Sequence, residues 1–299
     1  MHLQAYSYRL LSANSIIFAT PMKKSIFLFI SFVLVLSMGC NSYSHILKSG
    51  DYDKKYNAAK VLYNKGEYDK ALPFFEELMA VYKGTKDVEK LYYYYPYCHF
   101  GLGDYQLAIF YFQNFLEYYP RSEYAEDARF MMSYSYFKLS PTSSLEQSNT
   151  EKALESFQLF ANTYPTSRYI PEVNSLMDEL RGKMEEKALK AAMLYYNMRE
   201  YRAASTALLN VLNDFPESKS KEKILFHILK SQYLLADNSI KEKKADRLKT
   251  ASQSYLEFIN QFPQSEYLRE AEKIYEATET ELNKINQDEQ IQQTTRSKS

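Results

Sequence analysis

The sequence predicts an all-α protein built from repeated helix pairs, and three observations support that prediction. Glycine accounts for only 7 of 299 residues, whereas Gly-rich phosphate loops, tight strand-to-helix turns and many hairpins need residues that tolerate positive φ. The 29 tyrosines and 18 phenylalanines supply enough apolar surface for a substantial core, which argues against a disordered chain. The third observation is a helical spacing pattern that recurs five times.

The recurring pattern is an alanine followed by apolar residues at +4 and +7 and by proline at +12. These positions share one face of a helix with 3.6 residues per turn. Alanine allows a neighbouring helix to approach closely, the larger residues fill the groove beside it, and proline ends the helix. The four complete copies, and a first copy without the proline, are Ala108/Phe112/Phe115/Pro120, Ala153/Phe157/Phe160/Pro165, Ala204/Leu208/Val211/Pro216, Ala251/Tyr255/Phe258/Pro263 and Ala71/Phe75/Leu78.

A second amphipathic segment precedes each copy, and two of the joints read Gly66-Glu67-Tyr68 and Gly103-Asp104-Tyr105. Such units resemble the tetratricopeptide (TPR) repeat, so we expect a TPR-type α-solenoid of about five helix–turn–helix repeats with a C-terminal capping helix.

We also expect an inserted loop between Asp237 and Lys249. The predicted order is an extension and signal peptide over 1–39, a lipidated linker over 40–51, repeats over 52–140, an insert over 141–150, further repeats and the capping helix over 151–285, and a disordered tail over 286–299.

The first forty residues are typical of an export signal. Two lysines precede an apolar run over residues 26–38, which is shorter than the roughly 20 residues of a transmembrane helix. Cys40 then stands as in a lipobox, although Ser37 occupies the position where leucine is usual. That resemblance implies cleavage before Cys40 and a lipidated thiol; the alternative is an ordinary secretory signal with an incidental cysteine. We expect translation to start at Met22.

Charge and motif content narrow the function classes. The 37 basic and 37 acidic residues balance, so we expect no nucleic-acid partner. His45, His99 and His227 of the mature chain are far apart, and no metalloprotease, serine-hydrolase or P-loop motif is present, so we expect no enzyme, metal or cofactor. Besides Cys40 the mature chain has only Cys98, so no internal disulfide remains once Cys40 is acylated.

The concave face of the repeats is the expected binding surface, because the first helix of each TPR unit lines it. Tyrosine offers an apolar ring and a polar tip, so a row of tyrosines can grip an extended peptide with alternating aromatic residues. The alternative is that these rings pack helix against helix, and we expect a kink at Pro96. The candidate residues are Tyr56, Lys60, Tyr63, Tyr93, Tyr97, Phe100, Phe130, Tyr134 and Phe137.

A second candidate surface is a short basic segment. The simpler interpretation is a solvated face, and the alternative is a contact with an acidic partner domain or lipid headgroups, whose signature is salt sensitivity. The segment contains Lys241, Lys243, Lys244, Arg247 and Lys249.

The repeat boundaries share an aromatic-Pro-x-Ser motif, whose serine we expect to cap the next helix. It occurs at residues 119–122, 164–167, 215–218 and 262–265. This motif, the lipobox at Cys40, the segment Lys48-Ser-Gly-Asp-Tyr52, the five repeats and the insert after Pro141 together resemble the BamD family. Its members are lipoprotein subunits of the outer-membrane β-barrel assembly machinery. The resemblance runs from residue 40 to about residue 285.

The resemblance implies a lipoprotein held by acyl chains on Cys40 to the periplasmic leaflet of the outer membrane. It also implies that the N-terminal repeats receive unfolded outer-membrane protein precursors, and that the C-terminal repeats dock the periplasmic domains of the BamA subunit beside other lipoproteins of the machinery. Other interpretations stay open: a TPR adaptor for cell-wall machinery, a pilotin-like factor for secretin assembly, or a SusD-like glycan-binding lipoprotein. The absence of tryptophan argues against the last.

Overall fold

The computed structural model describes residues 41–296, and all regular secondary structure in that range is helical. The predicted all-α class is therefore confirmed. Within this range no helix is both long and apolar enough to cross a membrane. The helices are α1 (Asn41–Leu47), α2 (Tyr52–Asn64), α3 (Tyr68–Val81), α4 (Val88–Leu102), α5 (Tyr105–Tyr118), α6 (Ala125–Leu139), α7 (Ser148–Thr163), α8 (Ile170–Asn197), α9 (Tyr201–Asp214), α10 (Lys221–Asp237), α11 (Lys241–Gln261) and α12 (Leu268–Arg296).

The predicted repeat pattern forms the helical core. All five repeat alanines have 0% exposed surface, and the residues at +4 and +7 are buried in every copy, with at most 8% exposed at Tyr255. Helices α5, α7, α9 and α11 each end two residues before the proline of their copy, as expected of a residue that lacks an amide donor and clashes with the preceding turn. Helix α4, by contrast, runs through Pro96, where the kink stays a prediction.

The described part of the chain divides into two compact units, the first ending at Leu102 and the second beginning at Gly103. In the described part of the first unit α2 packs on α3 and α3 on α4. In the second unit each helix from α5 to α12 packs on the next one along the chain. Sequential packing of this kind is what repeat proteins use to bury faces that no single repeat can cover.

Left-handed backbone residues lie in three tight turns that join successive helices. Gly66 and Gly103 have φ of 75° and 83° at the two joints that the sequence indicates. A third turn of the same kind joins α8 to α9 at Arg199-Glu200-Tyr201, where Arg199 has φ of 64°. A non-glycine residue in this region is strained by contact of its Cβ with the backbone.

The boundary serines lie two residues before the N-cap position of the next helix, so they do not form the predicted helix cap. Each serine hydroxyl accepts a hydrogen bond from the backbone amide two residues further along the chain. That amide belongs to the residue just before the next helix. The N···O distances are 3.0 Å for Ser122, 3.1 Å for Ser167, 3.0 Å for Ser218 and 3.0 Å for Ser265. Two hydroxyls also donate across the repeat boundary, Ser167 to Glu126 at 2.6 Å and Ser218 to Glu185 at 2.5 Å. The serine therefore organises the turn and ties it to the preceding repeat.

Helix α8 is long because it contributes to two core clusters. Val173, Met177 and Leu180 in its first half pack with the phenylalanines of α7. Ala192 in its second half joins the cluster around Leu208 of α9. A single helix of 28 residues thus connects the third and fourth repeats.

Two segments are more helical than the sequence predicted. Only residues 238–240 connect α10 to α11, so most of the segment expected to be a loop before Lys249 is the first two turns of α11. Helix α12 continues to Arg296 through the segment expected to be disordered. Neither helix contains glycine or proline, so nothing ends helical propagation once the packed part has formed. Residues 286–291 are all exposed.

Candidate functional site

Four tyrosines of the first unit form what we call the N-terminal aromatic cluster. The ring centroids of Tyr63 and Tyr94 are 5.0 Å apart, those of Tyr94 and Tyr93 5.3 Å, and those of Tyr93 and Tyr97 5.0 Å. All three contacts are edge-to-face, the arrangement that the ring quadrupole favours. The Tyr93 hydroxyl donates to the Tyr97 hydroxyl at 3.3 Å. The structure therefore brings three predicted residues together through Tyr94.

The remaining candidates of the first unit lie on the same two helices as the cluster. On α2, the ammonium of Lys60 lies 5.6 Å from the centroid of the Tyr56 ring, within the range of a cation–π contact. Lys60 is exposed and Tyr56 half-buried, as is Phe100 near the end of α4. These helices therefore combine tyrosine rings with a surface cation.

One lysine of α2 is buried and has a structural role. Lys55 is 2% exposed, and its ammonium contacts both carboxylate oxygens of Glu77 on α3, at 2.6 and 2.7 Å. The ion pair joins α2 to α3. A buried ammonium requires such a partner, because its desolvation is otherwise costly.

The candidates of the third repeat form a ladder of nearly parallel rings. Centroid distances are 4.2 Å from Tyr169 to Phe130, 5.9 Å from Phe130 to Tyr134 and 5.7 Å from Tyr134 to Phe137, with interplanar angles of 9°, 9° and 6°. Phe130 is 5% exposed and belongs to the core, so it does not line an open groove as the sequence predicted. Tyr134 and Phe137 are half-buried, and the Lys183 ammonium lies 5.1 Å from the Phe137 ring.

Tyr169 ends this ladder in a polar network. Its hydroxyl donates to Asp127 at 2.5 Å and accepts from Arg168 at 2.8 Å. Burial, and secondarily the hydrogen bond to Asp127, raise the pKa of Tyr169. A cavity of about 500 Å³ beside it is lined by Glu123, Glu126 and Asp127 among others. Tyr169 thus anchors the turn of the boundary motif on the first helix of the preceding repeat.

The basic segment forms the beginning of α11, and two of its five cations bind within the fold. Lys244 lies 3.1 Å from Glu281 of α12 and 3.8 Å from Asp237, and Arg247 donates to the Ser239 hydroxyl. The exposed members are Lys241, Lys243 and Lys249, of which Lys249 lies 3.7 Å from Asp246.

The described residues contain no arrangement that favours a metal or a reactive thiol. Between residues 41 and 296 no three His, Cys, Asp or Glu side chains are placed to hold a metal ion. Cys98 is buried, and burial raises its pKa to about 12, which keeps the thiol protonated at neutral pH. Cys40 lies outside the described residues, so its lipidation stays a prediction.

Sequence patterns indicated part of this geometry and missed part of it. Tyr94 stands in a run of four tyrosines, where adjacent residues face different directions and periodicity does not select one. Tyr169 lies two residues after the boundary motif at 164–167 and outside the helical spacing pattern. Lys183 reaches Phe137 from a helix 46 positions further along the chain, and no local pattern predicts that contact.

Comparison with known proteins places the chain in a family. The sequence profile of YfiO, described as an outer membrane lipoprotein, matches residues 49–248, from the turn before α2 into α11. The chain belongs to the YfiO family. The curated relatives that it resembles include the outer membrane protein assembly factor BamD of Rickettsia prowazekii (strain Madrid E), which is 19% identical over 180 residues, 60% of this chain and 72% of the relative.

Two further curated relatives of this chain also carry the name BamD. BamD of Haemophilus influenzae (strain ATCC 51907 / DSM 11121 / KW20 / Rd) is 19% identical over 205 residues, 65% of this chain and 78% of the relative. An Aquifex aeolicus (strain VF5) protein with the provisional designation BamD is 25% identical over 213 residues, 71% of this chain and 69% of the relative. The family resemblance drawn from the motifs is therefore confirmed.

Among solved structures, similar chains include two TPR proteins. The TPR2AB domain of yeast Sti1, solved in complex with pHSP90, gives a TM-score of 0.40 at 15% identity and covers 81% of this chain and 96% of that one. A thermophilic TPR protein of Thermus thermophilus gives 0.31 at 17% identity, with coverage of 75% and 98%.

Proposed function

We propose that this chain is a non-enzymatic scaffold for the assembly of outer-membrane β-barrel proteins. The observation that carries the proposal is the YfiO family match over residues 49–248, together with relatives described as outer membrane protein assembly factors. In this function the chain makes and breaks no covalent bond. It holds a precursor and a partner subunit in positions that favour insertion.

The proposed anchor is a lipid on Cys40. The next described residue, Asn41, begins α1, and α1 packs on α2, so an acylated Cys40 would place the membrane directly beside the first repeat. One acyl chain gives only marginal membrane binding, whereas several give stable anchoring. Labelled palmitate should enter the wild-type chain and the Cys98→Ser variant, but not the Cys40→Ser variant. Equal labelling of the wild type and the Cys40→Ser variant would exclude this anchor.

The proposed precursor site is the N-terminal aromatic cluster. Its tyrosines are half-buried and present ring surface with hydroxyl groups at the ring edges. Tyrosine rings contribute strongly to binding, because they bury apolar area with little loss of conformational freedom. An extended barrel precursor alternates apolar and polar side chains, so every second residue can meet a ring.

A peptide titration tests this site with a matched control. The probe is a fluorescent peptide copying one strand of a β-barrel precursor with alternating aromatic residues, added to the mature full-length chain. Tyr97→Ala should weaken binding about tenfold, equivalent to about 1.4 kcal/mol. Tyr118→Ala, at a ring that is 64% exposed on α5, should leave binding unchanged. Equal affinities for the wild type and Tyr97→Ala, with both chains folded by circular dichroism, would exclude the cluster.

The proposed partner site is in the C-terminal repeats, which would dock the periplasmic domains of BamA beside other lipoproteins of the complex. Lys241 and Lys243 are exposed at the start of α11 and suit an acidic surface. The double variant Lys241→Glu/Lys243→Glu should reduce recovery of BamA in a salt-dependent manner. The control Lys152→Glu/Lys219→Glu changes two other exposed lysines and should retain it. Loss with both variants, or with neither, would exclude the segment.

A further inference from the structure

One face of α8 is partly covered by the insert and partly open to solvent. One stripe of the helix and its C-cap carries five residues that are separated by four, three, four and four positions. They are Lys183, Lys187, Lys190, Leu194 and Met198. Two of the three lysines contact the insert, since Lys187 donates to the carbonyl of Leu145 at 2.8 Å and Lys190 to the Ser143 hydroxyl at 3.3 Å. Lys183 donates at 3.3 Å to the hydroxyl of Ser140, the residue just before the insert.

The insert is a rigid loop held by its own polar side chains. The Gln147 amide donates to the carbonyls of Thr142 and Leu145 at 2.8 and 3.0 Å, and its oxygen accepts from Thr150 at 2.7 Å. Ser143, Gln147 and Thr150 are all buried. Compact loops packed by their own side chains are frequently functional. The loop nevertheless exposes 58% of Leu145.

Exposed apolar side chains lie on the loop and on the helix beyond the contact between them. Leu194 is 57% exposed, Met198 60% and the adjacent Tyr195 45%. Leu145 and these three residues are what we call the α8 patch. Lys187, which holds Leu145, precedes Leu194 by two turns, or roughly 10 Å along the helix. Single exposed apolar residues need no explanation, whereas a group presented by a rigid helix and a braced loop indicates an interaction surface.

The charges beside the patch indicate what covers it. Of the nearby carboxylates, Glu186 binds Lys190 at 2.6 Å. Glu146 accepts from the Ser148 amide at 2.9 Å, and this hydrogen bond and then the charge of Lys187 lower its pKa. The Lys187 ammonium keeps further donors beyond the one given to Leu145. Arg199 and Arg202 follow the patch in the chain, are exposed, and form no ion pair with any described residue. Glu200 is the exposed acid between these arginines.

We propose that the α8 patch docks an amphipathic helix of a protein partner whose apolar face is bordered by carboxylates. The partner's apolar side chains would cover Leu145, Leu194 and Met198. Its carboxylates would meet the basic groups, of which Lys187 lies beside the patch. This surface is separate from the N-terminal aromatic cluster and does not depend on it, so the two proposals fail independently.

Photocrosslinking in intact cells tests the docking directly. A benzophenone amino acid replaces Leu194 in the full-length chain, and a matched control carries it at Asp178, an exposed position in the first half of α8. Adducts formed only from position 194, and mapped to a helical segment of another protein with glutamates or aspartates beside its apolar face, are the expected result. Adducts to lipid, adducts to a second copy of this chain, or no adduct would each overturn the proposal.

A peptide experiment tests the charge preference. The probe is an 18-residue model helix with leucines on one face and glutamates beside them, and its control has lysines in place of the glutamates. The glutamate peptide should bind more tightly than the lysine peptide, and added salt should weaken it. The double variant Leu194→Ser/Met198→Ser should lower its affinity at least tenfold, and Lys187→Gln at least threefold. Leu256→Ser, at a leucine 49% exposed on α11, should have no effect.

The outcomes of that titration separate the possible explanations. Equal binding of both peptides would overturn the charge argument and with it the proposal. Equal loss with Leu256→Ser would show that the patch is not selective, which also overturns it. Unchanged circular dichroism and thermal midpoint of each variant would exclude misfolding as the cause of a loss, as expected for substitutions at exposed positions.

Discussion

The repeat alanines provide the sharpest test of how this fold is held together. Ala204 has 0% exposed surface and lies on the face of α9 that carries the buried Leu208 and Val211. Ala204→Leu adds three carbon atoms where no open surface remains. Overpacking of this kind costs about 1–3 kcal/mol. In a unit of roughly 200 residues, 1 kcal/mol shifts the thermal midpoint by about 2–4 °C, so the expected loss is roughly 2–12 °C.

The matched control is Ala191→Leu, at an exposed alanine inside α8. Leucine and alanine have similar helix propensities, so this variant should melt within about 1 °C of the wild type. Both midpoints would be measured by circular dichroism at 222 nm on the mature full-length chain. If Ala204→Leu melts no lower than Ala191→Leu, close helix approach at the repeat alanines is not what orders the stack.

Four further predictions concern single sites. Arg199→Gly should stabilise the second unit by about 0.5–1 kcal/mol in urea unfolding, because glycine relieves the strain at positive φ but loses more freedom on folding. Glu77→Ala should cost about 3 kcal/mol, since it strands the buried ammonium of Lys55, whereas Lys55→Met should cost less. Cys98 should resist a thiol reagent at pH 8 until the chain unfolds, because burial raises its pKa to about 12; rapid labelling of the native chain would contradict this. Burial lowers the pKa of His227 below its ordinary value near 6.5. The unfolded chain therefore binds the proton more readily than the folded chain, so the free energy of unfolding should fall as pH drops below 6.5. The variant His227→Gln should show a weaker dependence of stability on pH.

The helical repeat could be predicted from sequence because one helix face determines it. An alanine, two larger apolar residues and a proline fix burial and the helix end within twelve positions, and the structure buries the alanine and both apolar residues in every copy. The joint between paired helices was recognised only where glycine marked it. At Arg199 the same turn forms with an ordinary residue, because the packed helices on either side impose the geometry at a local cost.

Candidate site residues were harder to predict because they depend on contacts between repeats. Phe130 has the spacing of a groove residue, yet Tyr169 from the next repeat stacks on it and the core covers it. Lys244 stands in a basic run that suggests a solvated face, yet it binds Glu281 of α12. In each case the deciding partner lies about forty residues further along the chain, beyond the reach of a periodicity argument.

The central claim is that this chain acts in outer-membrane barrel assembly, and controlled depletion tests it most directly. Folded barrels resist unfolding in cold detergent, so their amount can be followed by gel mobility as the chain is withdrawn. We expect folded barrels to decline while unfolded precursors accumulate and outer-membrane lipoproteins stay constant. A constant ratio of folded to unfolded barrels after complete depletion would contradict the proposed function.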